Sequence, residues 1–94
     1  MPRIRVVLVH GLWMNAAAMI VLQMRLRNCG FDAIRFGYPT VRAGLEQSAA
    51  RLSEFLKCQQ ADEIYLAAHS MGGLVTLRSL ELYPDARVRR IVLM

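Results

Sequence analysis

Residues 63–73 read Glu-Ile-Tyr-Leu-Ala-Ala-His-Ser-Met-Gly-Gly, and the fold turns on how this stretch changes direction. Glu63 to Ala68 is a short, strongly apolar run, as expected of a strand inside a sheet covered on both faces. Helical spacing begins at Met71 and continues to Tyr83, where Pro84 stops it, because the residue before a proline leaves the helical region. Only His69 and Ser70 separate strand from helix, so the chain turns sharply at the serine. So tight a turn holds its central residue in strained backbone, at a cost of about 1–3 kcal/mol, and projects its side chain away from the sheet. The residues two before and two after the serine must then be small, and Ala68 and Gly72 are.

Working outward, Ile4 to Val9 (IRVVLV) is a β-branched run ended by His10-Gly11. A helical pattern follows from about Ala16 to Asn28, with Gly30 as its C-terminal signal. Asp32 to Phe36 is a short strand closed by the loop Gly37-Tyr38-Pro39-Thr40. From about Gly44 to Lys57 a second helix carries Leu45, Ala49, Leu52, Phe55 and Leu56 on one stripe. Beyond the opening stretch, Val88 to Met94 (VRRIVLM) begins a fourth strand. Strands alternating with helices predict an α/β domain, a mostly parallel sheet with helices on both faces, joined by right-handed crossovers. The 94 residues allow one domain and show no repeat or linker.

Composition excludes several other classes. The net charge of +5 comes mainly from arginines, eleven of the twelve cations, scattered one or two at a time. No helix carries a basic stripe with interleaved aromatics, so no nucleic-acid partner is expected. Val6 to Met24 are 19 residues without a charge, yet His10, Gly11, Asn15 and Gln23 interrupt them, so no membrane span is expected. The four apolar residues between Arg5 and His10 are too few for a secretion-signal core. Cys29 and Cys58 fall in helical patterns and read as buried thiols, with a reducing cytoplasmic compartment as the implied location. No Cys/His spacing points to a metal.

Ala68-His69-Ser70-Met71-Gly72 fits the nucleophile-elbow pattern G-x-S-x-G with alanine in first place, set between a strand and a helix as that pattern requires. The competing reading is an ordinary turn with a serine capping the helix. Taken with His10-Gly11-Leu12-Trp13-Met14-Asn15 and the loop FGYPTVR at 36–42, the elbow resembles the N-terminal half of α/β-hydrolase-fold serine esterases and lipases, small bacterial ones above all. The resemblance implies that the four strands are the third to sixth of that fold, in sheet order 2-1-3-4. Residues 1–94 would then be a single partial domain, truncated at its C-terminal end. It further implies Ser70 as nucleophile, and the backbone N–H groups of Leu12 and Met71 as the oxyanion hole. His10, Gly11, Ala68, His69, Gly72 and Gly73 would support the two motifs. Trp13 and Tyr38 are candidate pocket walls, with a plain core or surface role equally open. The implied substrate is a small acyl ester, and no metal or organic cofactor is implied.

A serine nucleophile needs a histidine base oriented by an acid, and in this fold both follow the serine. The 24 residues after Ser70 contain Glu81 and Asp85, read as surface charge, and no histidine. His10 and His69 fit supporting roles better than that of the base. Ser48, Ser53 and Ser79 lie in helical patterns and read as structural. The leading expectation is a serine hydrolase of carboxylic esters whose acid and histidine lie outside this sequence. The alternative is an inactive fragment serving as an interaction module. It would associate with a missing C-terminal half, or with itself, through exposed sheet edges such as VRRIVLM.

Overall fold

Strands and helices alternate as the residue pattern predicts, and the four strands form one all-parallel sheet in the order β2-β1-β3-β4. In chain order the elements are β1 (Ile4–Val9), α1 (Ala16–Asn28), β2 (Asp32–Phe36), α2 (Leu45–Lys57), β3 (Glu63–Ala68), α3 (Met71–Leu82) and β4 (Val88–Leu93). The computed structural model describes residues 2–10, 16–37 and 44–94. Of the uncharged stretch 6–24, residues 6–9 thus lie in a strand and 16–24 in a helix. Among the described residues no helix is long and apolar enough to cross a membrane.

Side chains alternate across β1 and β3, so each strand supplies two cores. Val7, Val9, Ile64, Leu66 and Ala68 pack with Leu52 and Leu56 of α2 and Val75 of α3 on one face. Val6 and Leu8 pack with Met19 of α1 and Ala33 of β2 on the other. Among the described residues one long polar side chain is buried, and it is satisfied. Buried Gln23 donates from Nε2 to the Ala33 carbonyl at 2.9 Å, and its Oε1 accepts from Arg35 Nε at 2.9 Å.

Two expectations are corrected. Cys29 and Cys58 are exposed rather than buried. Cys29 follows the last residue of α1 and Cys58 is the C-cap of α2, so both have left the helical stripe that packs on the sheet. Asp85 is not a simple surface charge. Its side chain is 17% exposed and accepts from Arg87 at 2.8 Å, while the Arg87 guanidinium also donates to the Leu56 and Gln59 carbonyls at the end of α2. These bonds clamp the turn before β4 onto α2. The hydrogen bonds from the Arg87 side chain, aided by its backbone N–H and its charge, outweigh burial and hold the Asp85 carboxyl below the usual carboxylate range. Glu81 remains exposed, paired with Arg78.

Candidate active site

The junction of β3 and α3 is the one place among the described residues where a non-glycine side chain stands on positive φ: Ser70, at φ 55° and ψ −123°. Such backbone is unfavourable for any L-residue with a Cβ and persists only where the surroundings impose it. Here they do so from both sides. The Ser70 N–H lies 3.4 Å from the Met94 carbonyl, and the Met94 N–H donates to the Ala68 carbonyl at 2.8 Å, so the end of β4 brackets the turn. On the helix side, Gly72 N–H donates to His69 and Gly73 N–H to Ser70, each at 2.9 Å. The Ser70 side chain is exposed and makes no capping bond to α3, unlike a helix-capping serine. Among the described residues the Met71 N–H donates to no backbone carbonyl, leaving a helix-terminal donor next to the serine.

The turn is also locked to β1. His69 N–H donates to the Val9 carbonyl at 3.1 Å. A Cβ on Gly72 would lie 2.5 Å from the Val9 oxygen and 2.7 Å from the His10 oxygen, inside any real contact distance. The bareness of Gly72 is therefore required by the backbone of β1, across which the first turn of α3 lies. Gly73 is less constrained, since its Cβ would meet only the Leu93 side chain, at 3.3 Å. Ala68 is fully buried beneath the serine in the core shared by α2 and α3.

His10 and the elbow thus meet at the carboxyl ends of the central strands β1 and β3. Because β2 lies on the far side of β1, the crossovers diverge there, and open α/β sheets bind ligands at such a point. His10 is half-buried, and its Nε2 lies 3.4 Å from where a Gly37 Cβ would stand, just past the end of β2. The buried His69 Nδ1 has no hydrogen-bond partner among the described residues. Gly11, Leu12, Trp13 and Tyr38 lie outside the described residues. Leu93 and Met94 support the elbow although the sequence reading passed over them. Their role depends on pairing with β3, and the only signal for it was an apolar strand end.

Compared with known proteins, residues 6–94 match the model of the alpha/beta hydrolase family. Among solved structures, the chain is similar to a Paenibacillus protein described as an extracellular alpha/beta-hydrolase that shares structural and functional homology with Tobacco Salicylic Acid Binding Protein 2. The two are 26% identical and superpose with a TM-score of 0.81, over 96% of this chain and 39% of that one. The chain therefore spans about two fifths of that relative's length. A comparison with curated proteins finds no match.

Proposed function

This chain belongs to the alpha/beta hydrolase family, and we propose that it carries the nucleophile and oxyanion hole of a serine hydrolase acting on small carboxylic esters. The observation behind this reading is the strained, exposed and uncapped Ser70 at the N-terminus of α3. Strain maintained around a hydroxyl that makes no structural bond serves to present that hydroxyl.

Ser70 Oγ attacks the ester carbonyl carbon while a base takes its proton, and the carbonyl oxygen becomes an oxyanion. The Met71 N–H receives that charge together with the Leu12 N–H. Losing one such donor costs about 3–4 kcal/mol of transition-state stabilisation. The alcohol departs with the proton, and water then releases the acid from the acyl-serine. Since His69 adjoins Ser70 in the chain and His10 Nε2 lies beside Gly37, we assign the base and its acid to groups supplied from outside residues 1–94. The catalytic unit is then larger than this chain, in keeping with the relative's length.

Exposing the chain to a fluorophosphonate, with and without free imidazole as a substitute base, tests the reading. Mass spectrometry should find an adduct on Ser70, formed faster with imidazole and absent from Ser70→Ala. An absence of Ser70 adduct under both conditions refutes it.

A further inference from the structure

Charge is unevenly placed along the chain. Residues 1–43 hold six arginines and a single acid, Asp32, whereas residues 44–94 hold six cations and six acids. The whole excess of +5 therefore belongs to the first 43 residues. Asp32 is itself taken up by Arg5, at 2.8 Å. α1 carries Arg25 and Arg27 in its last turn and no acid, and Arg35 of β2 bonds to its Gln23. All three arginines are exposed, and none makes an ion pair among the described residues. Two of them are fixed in place. The Arg27 Nε donates at 3.1 Å to the Ala33 carbonyl that Gln23 also binds, and the Arg35 Nε donates to the Gln23 Oε1. Both guanidiniums are thus tethered through their inner nitrogens to one buried amide, with no carboxylate paired to either. Their outer nitrogens face solvent, placed to bind an anion.

The outward side of α1 is apolar where a solvated helix is polar. Met19, Leu22, Gln23 and Leu26 form the side turned to the sheet. At 3.6 residues per turn, Ile20, Val21 and Met24 stand opposite them, 39%, 49% and 58% exposed. α2 shows the contrast, since its exposed residues Glu46, Gln47, Arg51, Glu54 and Lys57 are all polar. A helix that is apolar all round is one covered on both sides. The groove between α1 and β4 is lined by Leu22 and Leu26, so chain added there would meet those residues. Ile20 and Met24 lie on the other flank, together with Arg27, which is one turn from Met24 and two from Ile20.

We propose that this side of α1 docks on an anionic phospholipid surface. Ile20, Val21 and Met24 enter the headgroup region, and Arg25, Arg27 and Arg35 bind the lipid phosphates around them. An apolar centre rimmed by unpaired cations is the pattern that such a surface selects. A free anion has no use for the apolar residues, a nucleic acid calls for aromatic platforms that α1 lacks, and a second copy brings the same positive charges against these. Attachment is weak and reversible, since three partly exposed side chains and three arginines carry it. Each arginine near an anionic surface tightens binding about fivefold. None of this depends on the chemistry of Ser70.

Co-sedimentation of the protein with vesicles of phosphatidylcholine and about one third phosphatidylserine should show binding that weakens as salt rises. Binding to phosphatidylcholine alone should be weaker by about tenfold or more. Arg27→Gln with Arg35→Gln should lose about 25-fold, while Arg27→Lys with Arg35→Lys should stay within about threefold of the parent. Arg51→Gln with Lys57→Gln removes the same charge from α2, on the other face, and should also stay within about threefold. With Cys29 and Cys58 replaced by serine, an environment-sensitive fluorophore on Met24→Cys should shift to the blue on the mixed vesicles. The same label on Arg51→Cys should not, and circular dichroism should show every variant folded. Absence of binding, equal binding to both vesicles, an equal loss from the α2 pair, or an unshifted label at position 24 would each overturn the proposal. So would release from the vesicles by inorganic phosphate, tighter binding to an oligonucleotide than to the vesicles, or a dimer broken by Met24→Glu.

Discussion

Replacing Gly72 by alanine tests the junction of the two motifs most directly. In an unconstrained helix the change stabilises by about 1 kcal/mol, because glycine gives up more backbone freedom on folding. Here the new Cβ would stand 2.5 and 2.7 Å from two carbonyl oxygens of Val9 and His10, below the 3.0 Å that real Cβ contacts respect. Those oxygens belong to the backbone at the end of a central strand whose Val7, Leu8 and Val9 are at most 1% exposed, so no side-chain rotation relieves the contact. The first turn of α3 must retreat by half an ångström or more. Forced repacking of this kind costs about 1–3 kcal/mol, and set against the propensity gain it leaves a net loss of up to about 2 kcal/mol. For a domain of this size that is a sizeable part of a total near 5–10 kcal/mol. Urea unfolding should show the midpoint falling by up to about 1 M with the slope unchanged. Gly73→Ala is the control. Its Cβ meets only the exposed Leu93 side chain, and it should stay within about 1 kcal/mol of the parent. If Gly72→Ala proves as stable as the parent or more so, the close approach of α3 to β1 is wrong.

Three further outcomes follow from the same geometry. Ser70→Gly should be more stable than Ser70→Ala by about 1 kcal/mol, since glycine alone relieves the positive φ; equal urea midpoints would show no strain there. Met71→Ala should leave fluorophosphonate labelling of Ser70 within about threefold of the parent, because the proposed donor is a main-chain N–H, and a larger loss would assign the effect to the side chain. Asp85→Asn should cost about 1 kcal/mol at neutral pH by weakening the clamp on Arg87. The folded Asp85 carboxyl titrates below its unfolded value near 3.9, so the stabilisation is full above that pH and disappears as pH falls through the lower folded value. Unfolding curves of parent and variant should therefore converge in acid, and a gap that persisted there would exclude the ion pair as its source.

Much of the fold was legible because it is written in local patterns. Every strand and helix lies within a residue or so of its expected bounds, since two- and 3.6-residue periodicities and the stops at Gly30 and Pro84 are properties of the chain itself. The thiols were misread for the same reason. Cys29 and Cys58 extend helical patterns in sequence, but the helices end before them, and a pattern does not show where packing ceases. Asp85 looked like any exposed carboxylate until the α2 end, 28 residues or so from Arg87 in the chain, came to lie beside it.

At the elbow the division is sharpest. The sequence alone determined that a strand meets a helix at Ser70 with almost no residues between, because steric limits on two adjoining peptide units are local. Only the tertiary structure decided what holds that turn. The carbonyls of Val9 and His10 leave no room for a Cβ at Gly72, and Met94 brackets Ser70 from the neighbouring strand. These atoms come from strands that precede and follow the elbow by tens of residues. They meet it because a parallel sheet in the order β2-β1-β3-β4 brings the carboxyl ends of β1, β3 and β4 to one edge. Long-range pairing of that kind is set by the packing of both sheet faces together, which no local pattern contains.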